Sequence, residues 1–225
     1  MPKKKSFIDY NFFEKIDNPI VSYFLGFLWA DGWVNKNEKI NTFLIKINSN
    51  DAVYLKELLP KIGVFNIRDY VTFDKRFNKT LSHTIFECTE KLVKNFLVKN
   101  DYLIKSEESP KKILSVIPNE LKKYFLRGLF DGDGNFYVNK KQGLYHFYLH
   151  GSVNQKYDIL EEYLNNLEIP YKVNRKKNKT GECSFLRIVG KSNVLKLGEI
   201  IYNNYDNDLI GFNRKYNKFL EIKNS

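Results

Sequence analysis

Two aspartates close two copies of one short segment: Gly26-Phe-Leu-Trp-Ala-Asp-Gly32 recurs as Gly128-Leu-Phe-Asp-Gly-Asp-Gly134, which sets Asp31 and Asp133 102 positions apart. Each aspartate ends an apolar, helix-forming stretch, and the glycine after it supplies the helix stop expected at a C-terminus. That end of a helix already carries about half a negative charge from unpaired carbonyls, so a carboxylate there costs a few tenths to about 1 kcal/mol. Gly26 and Ala30 on one helix, and Gly128 and Gly132 on the other, stand four apart and leave each helix a stripe without bulky side chains. Two such stripes can pack closely, on the steric logic of small-xxx-small pairs, and that packing places the two helix ends side by side. A hard divalent cation bound by carboxylates and carbonyls would relieve the repulsion, and Mg²⁺ suits an oxygen site of this kind. On one copy alone a solvated Asp-Gly turn would explain these residues, whereas two matched copies point to a metal centre able to activate water.

The elements that must position the pair repeat with them. Thr42 to Asn48 and Leu144 to His150 alternate with period two, Ile45 and Ile47 matching Phe147 and Leu149 on the apolar face. Asp51 to Ile62 and Gln155 to Leu167 carry apolar residues at helical spacing: Leu55, Leu58, Leu59, Ile62 against Leu160, Tyr163, Leu164, Leu167. A strand follows each helix, Ile67 to Phe73 and Tyr171 to Arg175, then a basic tip in which Asn78-Lys79-Thr80 returns as Asn178-Lys179-Thr180. Strands over His83 to Cys88 and Ser184 to Val189 and helices over Glu90 to Lys99 and Lys191 to Asn203 complete two αββαββα repeats. The expected class is α+β, with two four-stranded antiparallel sheets. Its N-terminal half spans 1–105 and its C-terminal half 119–225, joined by 106–118, where Ser109-Pro110 and Ile117-Pro118 break helical continuity.

Length and composition narrow the function. In 225 residues, 43 % hydrophobic with 18 Phe and 15 Tyr, so much aromatic surface stays soluble only by packing, which excludes a disordered chain. Thirty-seven Lys and Arg against 26 Asp and Glu give a net charge of +11, a field that attracts polyanions and points to nucleic acid. With apolar strand residues turned to the helices, the opposite faces carry Lys46, Asn48, Arg68, Tyr70 and Thr72 in one half and His146, Tyr148, His150, Lys172, Asn174 and Arg187 in the other. Asn, Arg and Lys read base edges in a major groove, which admits a two-stranded ribbon. The tips, Lys75, Arg76 and Lys79 and Arg175, Lys176, Lys177 and Lys179, are expected to grip phosphates, contacts that position without specifying. His146 and His150 share a strand face without a third metal ligand in view. The only cysteines, Cys88 and Cys183, lack CxxC spacing, which implies a reducing compartment. No stretch approaches the length of a membrane span, and the first residues lack the apolar run of a secretory signal. The expectation is a soluble, intracellular protein, of a bacterial or phage-infected cytoplasm or of an organelle, from an AT-rich genome given 31 Lys against 6 Arg.

Phe24-Leu-Gly-Phe-Leu-Trp-Ala-Asp-Gly32 and Leu126-Arg-Gly-Leu-Phe-Asp-Gly-Asp-Gly134 resemble the two signature motifs of the LAGLIDADG, or dodecapeptide, homing endonucleases in their single-chain, two-motif form. The resemblance covers nearly the whole chain, with one departure: Trp29 stands where the second motif has Asp131. It implies motif helices at the interface of two pseudo-symmetric halves and sheets that form a saddle over DNA. Asp31 and Asp133 would then bind two or more Mg²⁺ ions, with the carbonyls of Ala30 and Gly132 as further ligands. Members often place a basic residue near the metal pocket, and Ile104-Lys105-Ser106 and Asn213-Arg214-Lys215 are the matching segments, which makes Lys105 and Lys215 candidates for stabilising charge at the phosphate. The implied activity is hydrolysis of one phosphodiester on each strand of a duplex target of roughly twenty base pairs, by a monomer. An intron maturase that binds RNA, or a regulator that binds DNA without cutting it, is the alternative.

Overall fold

The computed structural model describes residues 11–74, 78–178 and 181–225. A short helix α1 (Asn11–Glu14) leads into α2 (Pro19–Asp31), whose start is set by Pro19 in the first turn and by the Asn18 side chain, which accepts a hydrogen bond from Ile20 N at 2.8 Å. Then come β1 (Gly32–Val34), β2 (Thr42–Asn48), α3 (Ser49–Leu58), β3 (Asn66–Asp74), β4 (Lys79–Thr89) and α4 (Lys91–Lys99). The segment 106–118 is not a plain linker, because it holds α5 (Lys111–Val116), which buries Ile113 and Leu114. The second half repeats the order with α6 (Lys122–Asp133), β5 (Gly134–Asn139), β6 (Leu144–Gly151), α7 (Asp158–Asn166), β7 (Tyr171–Asn178), β8 (Gly181–Val189) and α8 (Lys191–Ile201). It ends in α9 (Tyr205–Asp208) and α10 (Asn213–Lys223), which carry the chain back toward the site.

Each half folds into one four-stranded antiparallel sheet, in the orders β1-β2-β4-β3 and β5-β6-β8-β7. The predicted register holds: Phe43, Ile45 and Ile47 are buried while Lys46 and Asn48 are exposed, and Phe147 and Leu149 are buried on β6. Helices α2, α3 and α4 cover the apolar face of the first sheet, and α6, α8 and α10 that of the second. Because α2 lies between a sheet and α6, it is buried all round, from Val21 to Trp29.

The helix pair is as close as its small residues allow. A Cβ on Gly26 would sit 2.0 Å from Phe125 O, one on Gly128 2.1 Å from Tyr23 O, and one on Gly132 2.3 Å from the Ala30 Cβ. Backbone meets backbone at two of these points, which no flexible side chain can accommodate.

Gly32 and Gly134 stop their helices as expected, without a left-handed turn. Their φ values are −83° and −90°, ordinary extended backbone, so each helix runs straight into a strand. Glycine is required there by space, since a Cβ on Gly32 would lie 2.3 Å from Leu28 O and one on Gly134 1.8 Å from the Phe130 ring.

Candidate active site and nucleic-acid face

At the C-terminal ends of α2 and α6, Asp31 and Asp133 meet. The Asp31 Oδ2 lies 3.3 Å from where a Gly132 Cβ would be, which sets one carboxylate against the end of the other helix. Burial pushes Asp133 up to about 7, the nearby Asp31 adds to the rise, and Lys105 and Lys215 oppose it. Asp31 is raised for the same first reason, again against Lys105 and Lys215. Two half-buried carboxylates that resist ionisation side by side make a site whose charge a cation would complete.

The two lysines end on the same helix termini. Lys105 donates to Trp29 O and Ala30 O, both at 2.5 Å, and Lys215 to Phe130 O, Asp131 O and Gly134 O at 2.7, 2.6 and 2.8 Å. An ammonium on the last carbonyls answers the negative end of each helix dipole. Burial draws Lys215 down to about 8 and lowers Lys105 as well, while the surrounding aspartates pull the other way. The Ala30 carbonyl, expected to face a metal, therefore has a lysine on it.

The donor set fits a hard divalent ion in part. Two carboxylates and nearby backbone carbonyls suit Mg²⁺, which binds through one or two carboxylates and keeps water and phosphate as its other ligands. Among the described residues no group of three or more His, Cys, Asp or Glu is placed to hold a metal, so carbonyls, water or phosphate would have to complete the shell.

The motif position that differs between the halves lies just behind this site. Trp29 packs edge-on against Tyr102, ring centroids 5.0 Å apart, and Tyr102 donates to Leu25 O. Asp131, only 2 % exposed, accepts from the Tyr23 hydroxyl at 2.9 Å and from Phe212 N at 2.7 Å. It is thus a buried structural acceptor joining the halves, and burial raises its pKa first of all. Beside it the fully buried Arg127 donates to Asp208 and to the carbonyls of Ile201, Asn203 and Ile210. Periodicity could not show this network, because Arg127 sits on a helix face that reads as polar.

On the first sheet, Lys46, Arg68, Tyr70 and Thr72 share the polar face. Lys46 Nζ lies 5.2 Å over the Tyr70 ring, Tyr70 stacks on His83, and His83 Nε2 is 3.1 Å from Thr72 Oγ1. Arg68 is tied to Glu87 at 2.7 Å. His83 and Glu87, on β4, belong to this face by register. Asn48, expected to read bases, instead caps α3 by accepting from Asn50 N at 2.9 Å.

The second face is richer in rings. His146, Tyr148, His150 and Phe185 form a chain of contacts with centroids 5.6 to 6.1 Å apart, and His146 Nδ1 is 2.8 Å from the Tyr148 hydroxyl. Burial lowers the pKa of both histidines. Register sets Arg187 between Tyr148 and Lys172, and Asn174 opposite Phe185. Arg187 Nε and Asn174 Oδ1 are buried without a hydrogen-bond partner.

The tips depart from expectation. Lys176 stays on the polar face, 5.3 Å over the Phe185 ring, but Arg175 and Lys177 alternate onto the other side. Arg175 donates to Val153 O and to Gln155 O, the latter at 2.9 Å, and Lys177 pairs with Glu182 at 3.6 Å. Both therefore point away from the face that carries Lys172, Asn174 and Lys176. Lys79 opens β4 and is exposed, while Lys75, Arg76 and Lys179 lie outside the described residues.

Comparisons with known proteins agree with this geometry. Residues 120–202 match the LAGLIDADG-like domain family. A search of curated proteins gives no match. Among solved structures, the homing endonuclease I-WcaI bound to its DNA recognition sequence superposes with a TM-score of 0.60 at 16 % identity, over 91 % of this chain and 87 % of that one. The meganuclease I-SmaMI bound to uncleavable DNA gives 0.54 at 16 %, over 92 % and 88 %. At such identity the likeness establishes the fold, two pseudo-symmetric halves built as in these enzymes, and leaves activity to the residues. No described helix is long and apolar enough to cross a membrane.

Proposed function

From a chain with a LAGLIDADG-like domain in its C-terminal half and the two-domain fold of the LAGLIDADG homing endonucleases throughout, we propose a site-specific DNA endonuclease that breaks both strands of a long duplex target with Mg²⁺. The observation that carries this reading is the meeting of Asp31 and Asp133 at adjoining helix ends, each end bearing a lysine. A DNA-binding fold alone has no use for two carboxylates held beside phosphate, where they repel the ligand. Asp31 and Asp133 would hold the ions, with the carbonyl of Gly132 as an additional donor, that of Ala30 being taken by Lys105. When bound, the metal supplies an activated water and charge for the leaving oxygen.

The rest is work for side chains of this protein. The polar faces of the two sheets take opposite ends of the target, one through Lys46, Arg68 and Tyr70 and the other through Tyr148, Lys172 and Arg187. Base contacts made there fix which phosphodiesters come to the centre. Lys105 and Lys215 hold positive charge beside those phosphates and keep it oriented through their carbonyl contacts. One half, 1–105, and the other, 119–225, joined through 106–118, each serve one strand, so a single chain suffices.

Selection of cleaved sites from a randomised duplex library with Mg²⁺ tests the reading. One long sequence should be recovered, cut on both strands. A protein that binds duplex yet cuts no member with any divalent ion would instead fit the maturase or regulator alternative.

A further inference from the structure

Neither lysine at the helix ends is held by its own half alone. Arg214, the residue before Lys215, reaches across to Asp51 at the start of α3, Nε to Oδ1 at 2.6 Å and Nη2 to Oδ2 at 2.7 Å. The same stretch is seated on the N-terminal half by Gly211 N donating to the Tyr54 hydroxyl at 2.6 Å and by the Phe212 ring against Phe27 and Tyr54. The arrangement is reciprocated on the other side. Just after Lys105, the carbonyls of Ser106 and Glu108 accept from Ser152 and Gln155 of the C-terminal half, and Lys156 Nζ meets Glu108 Oε1 at 2.7 Å. Asp51 and Lys156 occupy the same place in the repeat, 105 positions apart, the offset that matches Leu55, Leu58, Leu59 and Ile62 to Leu160, Tyr163, Leu164 and Leu167.

We propose that Asp51 and Arg214 are a positioning pair by which the N-terminal half fixes Lys215 on the end of α6, and that Lys156 and Glu108 do the same in reverse for Lys105. The first clasp is the firmer. A bidentate guanidinium–carboxylate contact fixes direction as well as distance, whereas one ammonium on one carboxylate oxygen fixes distance only. Asp51 is also the less exposed acid, its side chain 23 % exposed against 34 % for Glu108. Each lysine then responds to the docking of the opposite half, and the two cuts can be uncoupled by loosening one clasp. This inference rests on the endonuclease reading for its kinetic consequence but not for its structural one.

Two measurements keep those apart. With a plasmid carrying the selected site, Asp51→Ala should slow one strand's cut by about tenfold to a hundredfold, the range a displacement near 1 Å produces, while the other strand is cut as before. Nicked circles should accumulate, and duplex affinity should not fall, because Asp51 carries negative charge. Lys156→Ala should slow the opposite strand, by less. The exchange Asp51→Arg with Arg214→Asp should restore most of the lost rate. Equal slowing of both strands, or no recovery on exchange, would overturn the proposal.

Separately, reductive methylation of each lysine by formaldehyde and borohydride, read by mass spectrometry, needs no cleavage at all. Lys215 should be slow to react in the wild type and several-fold faster in Asp51→Ala, with Lys105 unchanged. An unchanged Lys215 rate would sink the positioning role even if the protein never cuts DNA, and a raised rate in a protein that never cuts would support the clasp while removing the endonuclease reading.

Discussion

At the end of α2 a tryptophan stands two residues before the aspartate and packs on Tyr102, whereas at the end of α6 the same place is taken by Asp131, bonded to Tyr23 and Phe212. The sheets differ in the same manner: the first face carries an ion pair, Arg68 with Glu87, and the second a run of rings with an arginine nitrogen left unpaired. At the centre the two halves keep in common the helix stripe, the two aspartates and a lysine on each helix end. Duplication has preserved the positions where backbone meets backbone or charge meets charge at the centre. The polar faces of the two sheets have diverged.

The widest test of that division is at the stripe. Gly26→Val and Gly128→Val should be about equally damaging, each driving a side chain into the partner helix's backbone and costing well over 3 kcal/mol, enough to lose cooperative unfolding in urea. A large inequality between them would mean that the interface is less symmetric than its spacing. By contrast Gly143→Ala, at φ 64° in open space, should cost only about 1 kcal/mol.

Next come the helix ends. Asp133 has its pKa raised from 3.8 to about 7 in the folded protein, so its contribution to stability is full below pH 3.8 and is lost as pH rises through 7. At pH 8 without divalent ions, Asp133→Asn should therefore stabilise the fold, by about 2 kcal/mol once its partial exposure is discounted, and Mg²⁺ should narrow the gap. Asp31→Asn should act in the same direction. Equal wild-type melting temperatures at pH 5 and pH 8 in EDTA would contradict the assigned burial.

The faces should differ more mildly. Arg187→Ala is expected to weaken binding of the preferred duplex by about 1–3 kcal/mol and relax the sequence at its position, because its Nε has no hydrogen-bond partner in the protein. Arg68→Ala should cost less, since Glu87 already holds that guanidinium. The smallest effect is expected at Arg175. Its removal should leave the slope of log affinity against log salt unchanged, whereas removing Lys46 should reduce it by about one. Binding titrations between low and moderate salt measure all three.

Much of this was legible because repetition converts weak local signals into strong ones. A single Gly-xxx-Ala or a single Asp-Gly is common, but two in register predicted the helix contact, and the strand alternation predicted the buried faces of β2 and β6. The misreadings come from local competition that spacing cannot show. Asn48 lies on the correct face of β2, yet the helix that begins at the next residue takes its side chain as a cap. Arg175 was grouped with its basic neighbours, although strand alternation puts it on the far side from Lys176. Gly32 and Gly134 end their helices as expected, but spacing could not show that the need for glycine comes from crowding by Leu28 and Phe130 one turn back. The Asp51–Arg214 pair, 163 positions apart, has no signature in sequence at all.

The central claim is that Asp31 and Asp133 hold the ions that cut DNA, and one gel series on a single selected duplex tests it most directly. Wild type, Asp31→Asn and Asp133→Asn are compared for binding and for cleavage with Mg²⁺, and for binding with Ca²⁺. Each substitution should reduce double-strand cleavage by about a hundredfold or more while affinity stays level or rises, since a negative charge beside phosphate has been removed. Ca²⁺, which accepts looser and larger coordination, should support binding without cutting. Full cleavage by either asparagine variant would contradict the assignment.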